Sequence, residues 1–361
     1  MAQEQSTIGY QEALPPRRLG DRPLPVRVAI HILHFVRTKP LAGFGALIVL
    51  TILCFGAFAE LIERHPPNQI IRTAASACAP HEIDDPRVVC FSPELHEQAL
   101  QDPTVRLNYP SSRFQEGLGE GVTLSLAMPS RDHWLGTDQR GRDVWSRIVH
   151  GSRLALLVGA GAATIALLFG TIFGVVSAYF GGWVDMIIQR CTDALFAFPP
   201  LILLLIFAQV VPEPNKYWTT LALGIIGIAS VVRIARSAVL TAREEVYVLA
   251  ARTIGADDRR IMFRHIFPNI TAPLIVIFTV SIGGYILAEA GLAFLGLSDP
   301  QAISWGRMID QGRQLGPAHP YLALFVGTAL TLTVLGFNLL GDGLRDALDP
   351  RLRGASGRPG F

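Results

Sequence analysis

Lysine, and charge in general, is scarce in this sequence. Of its 361 residues, 17% are charged and half are hydrophobic, and only Lys39 and Lys216 are lysines. Neither lysine follows a glycine, so a phosphate-binding loop of the G-x-x-x-x-G-K type is absent. A soluble chain of this length needs more charge to cover its surface. The composition therefore favours a protein with several membrane spans.

Catalytic motifs are also lacking. The sequence contains no H-E-x-x-H, no G-x-S-x-G and no paired carboxylates within an apolar run. His265 stands among arginines and is interpreted as a surface residue rather than a base. We therefore predict no catalytic residue, no metal site and no enzyme activity in this chain.

Six apolar runs are long enough, and free enough of charge, to cross a bilayer. They lie near residues 40–61, 153–180, 193–211, 217–233, 270–296 and 320–341. These runs predict an all-α membrane protein with about six transmembrane helices. A basic, proline-rich tail at 1–39 comes before the first run, and a polar segment at 62–150 comes before the five-helix core at 151–345.

The arginines predict the orientation. They are concentrated between residues 233 and 264 and in the C-terminal tail at 346–361, and the tail at 1–39 is basic as well. Positive charge in short loops marks the cytoplasmic side of a membrane. We therefore expect both termini in the cytoplasm and the segment 62–150 outside it.

Two cysteines, Cys78 and Cys90, share the segment expected outside the cytoplasm. An oxidising space would allow them to form a disulfide. A metal site that also uses His81 and His96 is the first alternative, although the spacing fits no familiar zinc pattern. Two free thiols are the other alternative. We predict no metal site here, and the sequence leaves open whether the two cysteines are bonded.

The stretch 241–269 is polar and lies between two apolar runs. It has the layout of two short helices joined by a turn. Thr241 and Glu244 form a capping box for the first helix, Gly255 ends that helix, and Pro268 stops the second. A water-exposed helical hairpin in a hydrophobic protein is well placed to be gripped by a soluble partner.

This hairpin resembles the cytoplasmic coupling loop of permease subunits of ABC importers, whose pattern is Glu-Ala-Ala, three residues, Gly, a spacer and an aliphatic-Leu-Pro end. The matching positions are Ala250, Ala251, Gly255 and Pro268. Leu249 stands in place of the usual Glu, and Phe267 in place of the usual Leu. Glu244 and Glu245 lie just upstream.

Three further stretches are similar to the second membrane subunit of dipeptide, oligopeptide and nickel importers. They are 133–153, 287–298 and 338–353. The resemblance covers the first span and everything from 133 to 353. The segment 62–131 departs from it, because it is longer and carries cysteines, and no role is assigned to it.

The resemblance implies the type I fold of ABC importers and a multi-pass protein of the bacterial inner membrane. The expected partners are a second homologous permease subunit, two ATPase subunits that bind ATP and Mg²⁺, and an extracytoplasmic solute-binding protein. This chain would form half of a pathway for di- and oligopeptides or similar small solutes such as nickel or opines, and would carry no cofactor. The residues expected to couple it to the ATPases are Glu244, Glu245, Ala250, Ala251, Gly255 and Pro268.

Several residues inside the apolar runs invite a role in the pathway or between subunits. Pro199 and Pro200 are expected to bend the third span, either for a pathway or as a structural kink. Glu289 either faces a pathway or partner or is solvated at the outer interface. Asn338 is a candidate for a hydrogen bond to another helix.

The spacing of Gly170 and Gly174, four residues apart, lets a neighbouring helix approach closely, although glycine is also simply common in membrane spans.

Two other functions compete with the importer. A secondary transporter driven by an ion gradient needs carboxylates or broken helices near the midplane, preferably in two repeated halves; Glu289 alone is thin support and no repeat is seen. The hairpin also has the layout of a helix-turn-helix. The flanking spans and the acidic turn at Asp257 and Asp258 argue against entry into a DNA groove, so no nucleic acid is expected.

Overall fold

The computed structural model describes residues 39–69, 72–73, 122–123, 126–131, 133–211 and 215–348. Within these ranges the regular structure is helical, apart from one antiparallel pair of two-residue strands. The elements in chain order are α1 (Pro40–Ala57), α2 (Ala59–Ile62), β1 (Arg72–Thr73), β2 (Val122–Thr123), α3 (Val144–Phe180), α4 (Gly182–Phe196), α5 (Pro200–Val210), α6 (Lys216–Arg243), α7 (Val246–Thr253), α8 (Asp258–Arg260), a π-helical turn (Ile261–Ile266), α9 (Phe267–Phe294), α10 (Trp305–Gln314), a 3₁₀ turn (Gly316–Ala318) and α11 (Pro320–Leu348).

Polar side chains fix where three of the helices begin. The Asp143 carboxylate accepts a hydrogen bond from the Ser146 amide at 2.8 Å and so caps α3. The Asn215 side chain accepts from two amides in the first turn of α6, and the Ser304 hydroxyl accepts from the first turn of α10. Each cap satisfies donors that would otherwise lack a partner at a helix start.

Five helices of the described chain are long and apolar enough to cross a membrane: α1, α3, α6, the continuous helix Asp258–Phe294, and α11. α4 and α5 meet the criterion only as a pair, bent by 85° at the break between them. Counting that pair as one span gives the predicted total of six. The predicted bend is present because Pro199 and Pro200 stand at the break, where proline cannot continue the preceding helix.

Helix boundaries differ from the apolar runs in two places. The stretch 181–190 lies between two of the predicted apolar runs and was expected to be a connection without a helix, but most of it lies in α4. The helix forms because apolar and polar residues alternate there at helical spacing, which a search for charge-free runs does not register. α3 also begins well before residue 153, since the Asp143 cap starts a helix that the polar residues of its first turns continue.

α3 and α6 form the central helix pair of the molecule, and α9 packs against both of them. The glycine pair predicted from its spacing lies in this contact. A Cβ atom on Gly170 would stand 2.5 Å from the Val231 Cβ, and one on Gly174 would stand 2.8 Å from the Val232 carbonyl oxygen. The absent side chains therefore let the two backbones approach closely.

α1 lies against α11 and α3, on the outside of this core. Gly45 and Gly336 face each other across the α1–α11 contact, where a Cβ on Gly45 would stand 2.9 Å from the Gly336 carbonyl oxygen. An ion pair between Lys39 and Asp346, 2.7 Å apart, joins the start of α1 to the end of α11. The first and last described helices are thus held together along their length.

Candidate functional site

The polar stretch between α6 and α9 forms a helical hairpin, as predicted. α7 is its first arm, and α8 with the π-helical turn is its second. Gly255 stands between the arms with φ +79°, a left-handed conformation that glycine adopts without steric cost. We refer to residues 244–266 as the coupling hairpin.

The predicted capping box at the start of the hairpin is wrong. Thr241 lies inside the last turn of α6, and its hydroxyl donates to the Ser237 carbonyl at 3.2 Å. Glu244 follows the last residue of α6 as its C-cap, and Glu245 precedes α7 without capping it through its side chain. The reason is that the helical pattern of α6 continues past the apolar run, so the local signal at Thr241 falls within an established helix.

The predicted stop at Pro268 is also wrong. Pro268 lies near the start of α9, and the helix continues through it from the second arm. The backbone widens into the π-helical turn just before it, and the Asn269 side chain donates to the His265 carbonyl at 2.7 Å. The second arm therefore runs directly into the membrane-spanning helix.

The inner face of the hairpin packs against the ends of α3 and α6. Its buried residues share one apolar cluster with side chains of those two helices. The hairpin contributes Val248, Ala251, Ile261 and Ile266, and the two helices contribute Tyr179, Val239 and Ala242. Burial of these side chains holds the hairpin to the spans rather than leaving it as a loose loop.

The outer face of α7 is apolar and exposed. Leu249 is 51% exposed and Ile254, just after the helix, is 85% exposed, and Val246 and Ala250 lie on the same side at helical spacing. Phe263 in the second arm is also exposed. Exposed apolar residues grouped on one side of a helix are typical of a surface that contacts another protein or the membrane.

The six residues predicted to couple this chain to a partner are therefore divided between two faces. Ala251 is buried and packs inward. The other five, Glu244, Glu245, Ala250, Gly255 and Pro268, are exposed. A Cβ on Gly255 would meet no atom within 4 Å, so its conformation and not a lack of space requires glycine.

Sequence reasoning missed the apolar residues of the outer face. Val246, Ile254 and Phe263 were not selected, and Leu249 was treated only as a departure from a pattern. The sequence does not separate the two faces, because Val248 and Ala251 on the inner face are apolar as well.

Ion pairs near the hairpin tie the bent pair to α6. Both guanidinium nitrogens Nε and Nη2 of Arg236 donate to the Asp185 carboxylate, at 2.7 and 2.6 Å, and the Ser177 hydroxyl also donates to it. Arg233 pairs with Asp193 at 3.0 Å. The bidentate Arg236 contact fixes the angle at which α4 leaves α3, because its geometry is planar and specific.

The four candidates within the spans lie in different environments. Pro199 and Pro200 are exposed at the bend, and Asn338 is half-buried in α11. Glu289 is 3% exposed, which excludes the solvated position, and faces Ser304 and Arg307. Its Oε1 atom has no hydrogen-bond partner among the described residues. A role of these four residues in a pathway stays a prediction.

The opposite end of α3 carries a buried polar cluster within the stretch 133–153. The His133 ring nitrogen Nδ1 lies 3.1 Å from the Asp143 carboxylate, and both side chains are buried. Asp138 accepts from the Arg142 side chain at 2.7 Å, and Arg147 donates to the Pro67 carbonyl at 3.1 Å. The cluster joins the chain just after α2, at Pro67, and the chain just after the long polar segment to the start of α3.

The remaining predicted site is the cysteine pair with its neighbouring histidines. Cys78, Cys90, His81 and His96 lie outside the described residues. Among the residues that the structure does describe, no three His, Cys, Asp or Glu side chains are grouped as metal ligands.

Comparison with known proteins gives consistent matches. Residues 170–354 match the family model described as "Binding-protein-dependent transport system inner membrane component". The chain is 43% identical to the dipeptide transport system permease protein DppC of Alkalihalophilus pseudofirmus, over 63% of this chain and 75% of that protein.

Two further relatives have similar coverage. The glutathione transport system permease protein GsiD of Pectobacterium atrosepticum is 42% identical over 62% of this chain and 75% of that protein. The oligopeptide transport system permease protein OppC of Bacillus subtilis is 39% identical over 62% of this chain and 74% of that protein. The residues that match the family model include the coupling hairpin, all of α6 and the end of α3 from residue 170 onward.

Proposed function

This chain belongs to the family of inner membrane components of binding-protein-dependent transport systems and is an ABC importer permease subunit, and from this premise we propose that it imports peptides and is driven through the coupling hairpin. The observation that carries the proposal is the exposed apolar outer face of α7. That face lies on a hairpin whose inner face is packed against the spans.

We infer that the hairpin lies in the cytoplasm of a bacterium and that the chain resides in the inner membrane with both termini inside. The arginines support this orientation. Those of the hairpin and its flanks include Arg243, Arg252, Arg259, Arg260 and Arg264. Short segments rich in arginine stay on the cytoplasmic side during insertion.

Two ATPase subunits would dock from the cytoplasmic side, one of them on the outer face of α7. Leu249 and Ile254 offer apolar area to a groove on the ATPase, and Glu244 and Glu245 stand at the rim of that surface. Helix-in-groove recognition uses anchors of this kind, spaced at helical intervals. ATP and Mg²⁺ would be bound by the ATPases, and this chain would hold no cofactor and catalyse no reaction.

Coupling requires that the hairpin be bound differently by the open and closed ATPase pair, because equal binding to both states shifts nothing. Coupling also requires that movement of the hairpin reach the spans, and the packed inner face of the hairpin allows this. Movement of α7 is passed to α3 and α6, since Val248 and Ala251 are buried against residues of those helices.

A second, homologous permease subunit would cover the bent pair. α5 has 11 residues, too few to cross a bilayer, and α4 meets it at 85°. Backbone groups freed at such a break need partners that lipid does not provide. We infer that Pro199 and Pro200 face the pathway or the second subunit rather than lipid.

The proposed substrate class is peptides. The relatives at 39–43% identity carry names for dipeptide, glutathione and oligopeptide transport, and a peptide bound by an extracytoplasmic binding protein is the common chemistry. Selectivity would then lie largely in that binding protein.

The test is reconstitution. The chain is co-expressed with a homologous permease, two ATPases and a binding protein from the same genome, and the complex is placed in proteoliposomes. Uptake of labelled dialanine and of labelled glutathione is then measured with and without ATP. We expect uptake of a peptide that depends on ATP. Uptake that follows an ion gradient and ignores ATP would identify a secondary transporter instead.

A matched pair of variants tests the docking surface in the same complex. Leu249→Ser removes an apolar side chain that is 51% exposed on the hairpin, and Leu50→Ser removes one that is 57% exposed on α1. Loss of about 1–2 kcal/mol of apolar contact predicts roughly tenfold weaker ATPase binding for Leu249→Ser. We expect no change for Leu50→Ser. Equal ATPase binding by both variants would contradict docking on α7.

A further inference from the structure

The end of α3 nearest the coupling hairpin carries a tyrosine that contacts both arms of the hairpin. Tyr179 is 6% exposed, and its ring belongs to the apolar cluster that also contains Val248 and Ile261. Val248 lies in the first arm and Ile261 in the second. The ring is therefore held in place by packing, independently of its hydroxyl group.

The polar contacts of Tyr179 reach the same two arms. Its hydroxyl donates a hydrogen bond to the Asp258 carboxylate at the start of the second arm. The Arg252 guanidinium, in the last turn of the first arm, lies over the ring with its carbon 5.8 Å from the ring centre.

A third contact secures the same point from α6. Arg243 donates through Nη1 to the carbonyl oxygens of Ala178 and Tyr179, at 3.1 and 3.2 Å. These carbonyls belong to the last turn of α3, where intrahelical partners are missing. A cation at a helix C-terminus is favourable for both the hydrogen bonds and the helix dipole.

The chain turns immediately after this point. Gly181 and Gly182 have φ +64° and +56°, so α3 ends here and α4 leaves in a new direction. Tyr179 thus occupies the fixed end of a span, between the arms of the hairpin on one side and the α3–α4 corner on the other. The outer face of α7, where a partner would push, is on the opposite side of that arm.

We propose that Tyr179 positions the coupling hairpin on α3, by holding α8 through its hydroxyl and α7 through its ring, so that displacement of the hairpin moves the α3–α6 pair. This proposal rests on the proposed function of the hairpin. Tyr179 acts through the hairpin and touches no substrate. Asp258 is exposed, so the hydrogen bond forms and breaks without burying an unpaired charge.

Three substitutions separate this role from simple packing. Tyr179→Phe removes the hydroxyl and keeps the ring. Asp258→Ala removes the acceptor, whereas Asp258→Asn keeps an acceptor oxygen and should restore part of the contact. Asp257→Ala is the matched control, because Asp257 is the adjacent carboxylate and makes no side-chain cap to α8.

Hydrogen exchange of residues 246–260 in the complete complex in lipid nanodiscs tests positioning without any substrate. We expect about tenfold faster exchange in Tyr179→Phe and Asp258→Ala, since a hydrogen bond to a charged group corresponds to about a tenfold change in an equilibrium. Asp257→Ala should exchange like the wild type, and Asp258→Asn should lie between the wild type and Asp258→Ala, because a neutral oxygen still accepts the hydrogen bond but more weakly than a carboxylate. The double variant Tyr179→Phe, Asp258→Ala should be no faster than either single variant, because both remove one contact.

The ratio of labelled dialanine imported to ATP hydrolysed, in proteoliposomes of the same variants, tests transmission. We expect this ratio to fall severalfold in Tyr179→Phe while ATP hydrolysis is retained. Unchanged exchange, or equal loss in Asp257→Ala, would overturn the positioning role. A wild-type complex that imports without ATP would instead overturn the proposed function, and the exchange result would still decide the role of Tyr179.

Discussion

Replacing Gly174 by alanine tests the close contact between α3 and α6. A Cβ at this position would stand 2.7 Å from the Ala235 Cβ, 2.8 Å from the Val232 carbonyl oxygen and 3.2 Å from the Arg236 amide nitrogen. Two of these three atoms are backbone atoms, which cannot rotate away. The helices would therefore have to separate by about 1 Å to restore ordinary contact distances.

The expected magnitude is a difference between two effects. Overpacking a well-packed site costs about 1–3 kcal/mol, and replacing glycine by alanine within a helix returns about 1 kcal/mol. Gly174→Ala should therefore be neutral to destabilising, by up to about 2 kcal/mol. Gly284→Ala in α9 is the matched control, because a Cβ there meets no atom within 4 Å. It should be stabilised by about 1 kcal/mol.

The assay is unfolding of the purified chain in mixed micelles by titration with dodecyl sulfate, followed by tryptophan fluorescence. The free energy of unfolding of Gly174→Ala should lie below that of Gly284→Ala by about 1–3 kcal/mol. Equal free energies for the two variants would refute the close α3–α6 contact as a determinant of stability.

Two further predictions concern other sites. Gly255→Val should strain the turn of the coupling hairpin by about 1–2 kcal/mol, because a β-branched residue is placed at φ +79°. Hydrogen exchange of residues 246–260 should therefore be about tenfold faster, whereas Gly255→Asn should be much less affected. Equal exchange in the two variants would show that the left-handed conformation is unimportant. Glu289→Gln should unfold at a dodecyl sulfate fraction equal to or above that of the wild type, because the buried carboxylate has an oxygen without a hydrogen-bond partner in the described structure. Glu289→Ala should lower the free energy of unfolding by about 2 kcal/mol, because it leaves a cavity. A large loss of stability in Glu289→Gln would show that the carboxylate makes a contact that the amide cannot.

The succession of membrane spans along the chain was predictable because the bilayer sets the length and polarity of each span. Charge-free runs of sufficient length predict spans. The number of spans and the position of the hairpin between two of them, α6 and α9, therefore follow from composition. The close helix contact at Gly170 and Gly174 was likewise predictable, because four-residue spacing places both glycines on one face of a helix.

Local signals at helix ends were less informative. Thr241 carries a capping signature and Pro268 a stop signature, yet both lie within helices. Each signature describes a free helix end, whereas here the neighbouring span supplies a helix that continues through it. The contacts of Tyr179 were beyond sequence reasoning altogether, because Tyr179 and Asp258 are 79 positions apart and only the packed hairpin brings them together.

The contact between α1 and α11 has a consequence for biosynthesis. Lys39 and Asp346 are 307 positions apart, so the first helix enters the bilayer while its last neighbour is still to be translated. Throughout that interval the face of α1 that carries Gly45 lacks the backbone that later fits against it. A chain interrupted before α11 would therefore leave a glycine groove of α1 open to lipid, and a chimeric protein that exchanges the first helix would need to exchange the last one with it.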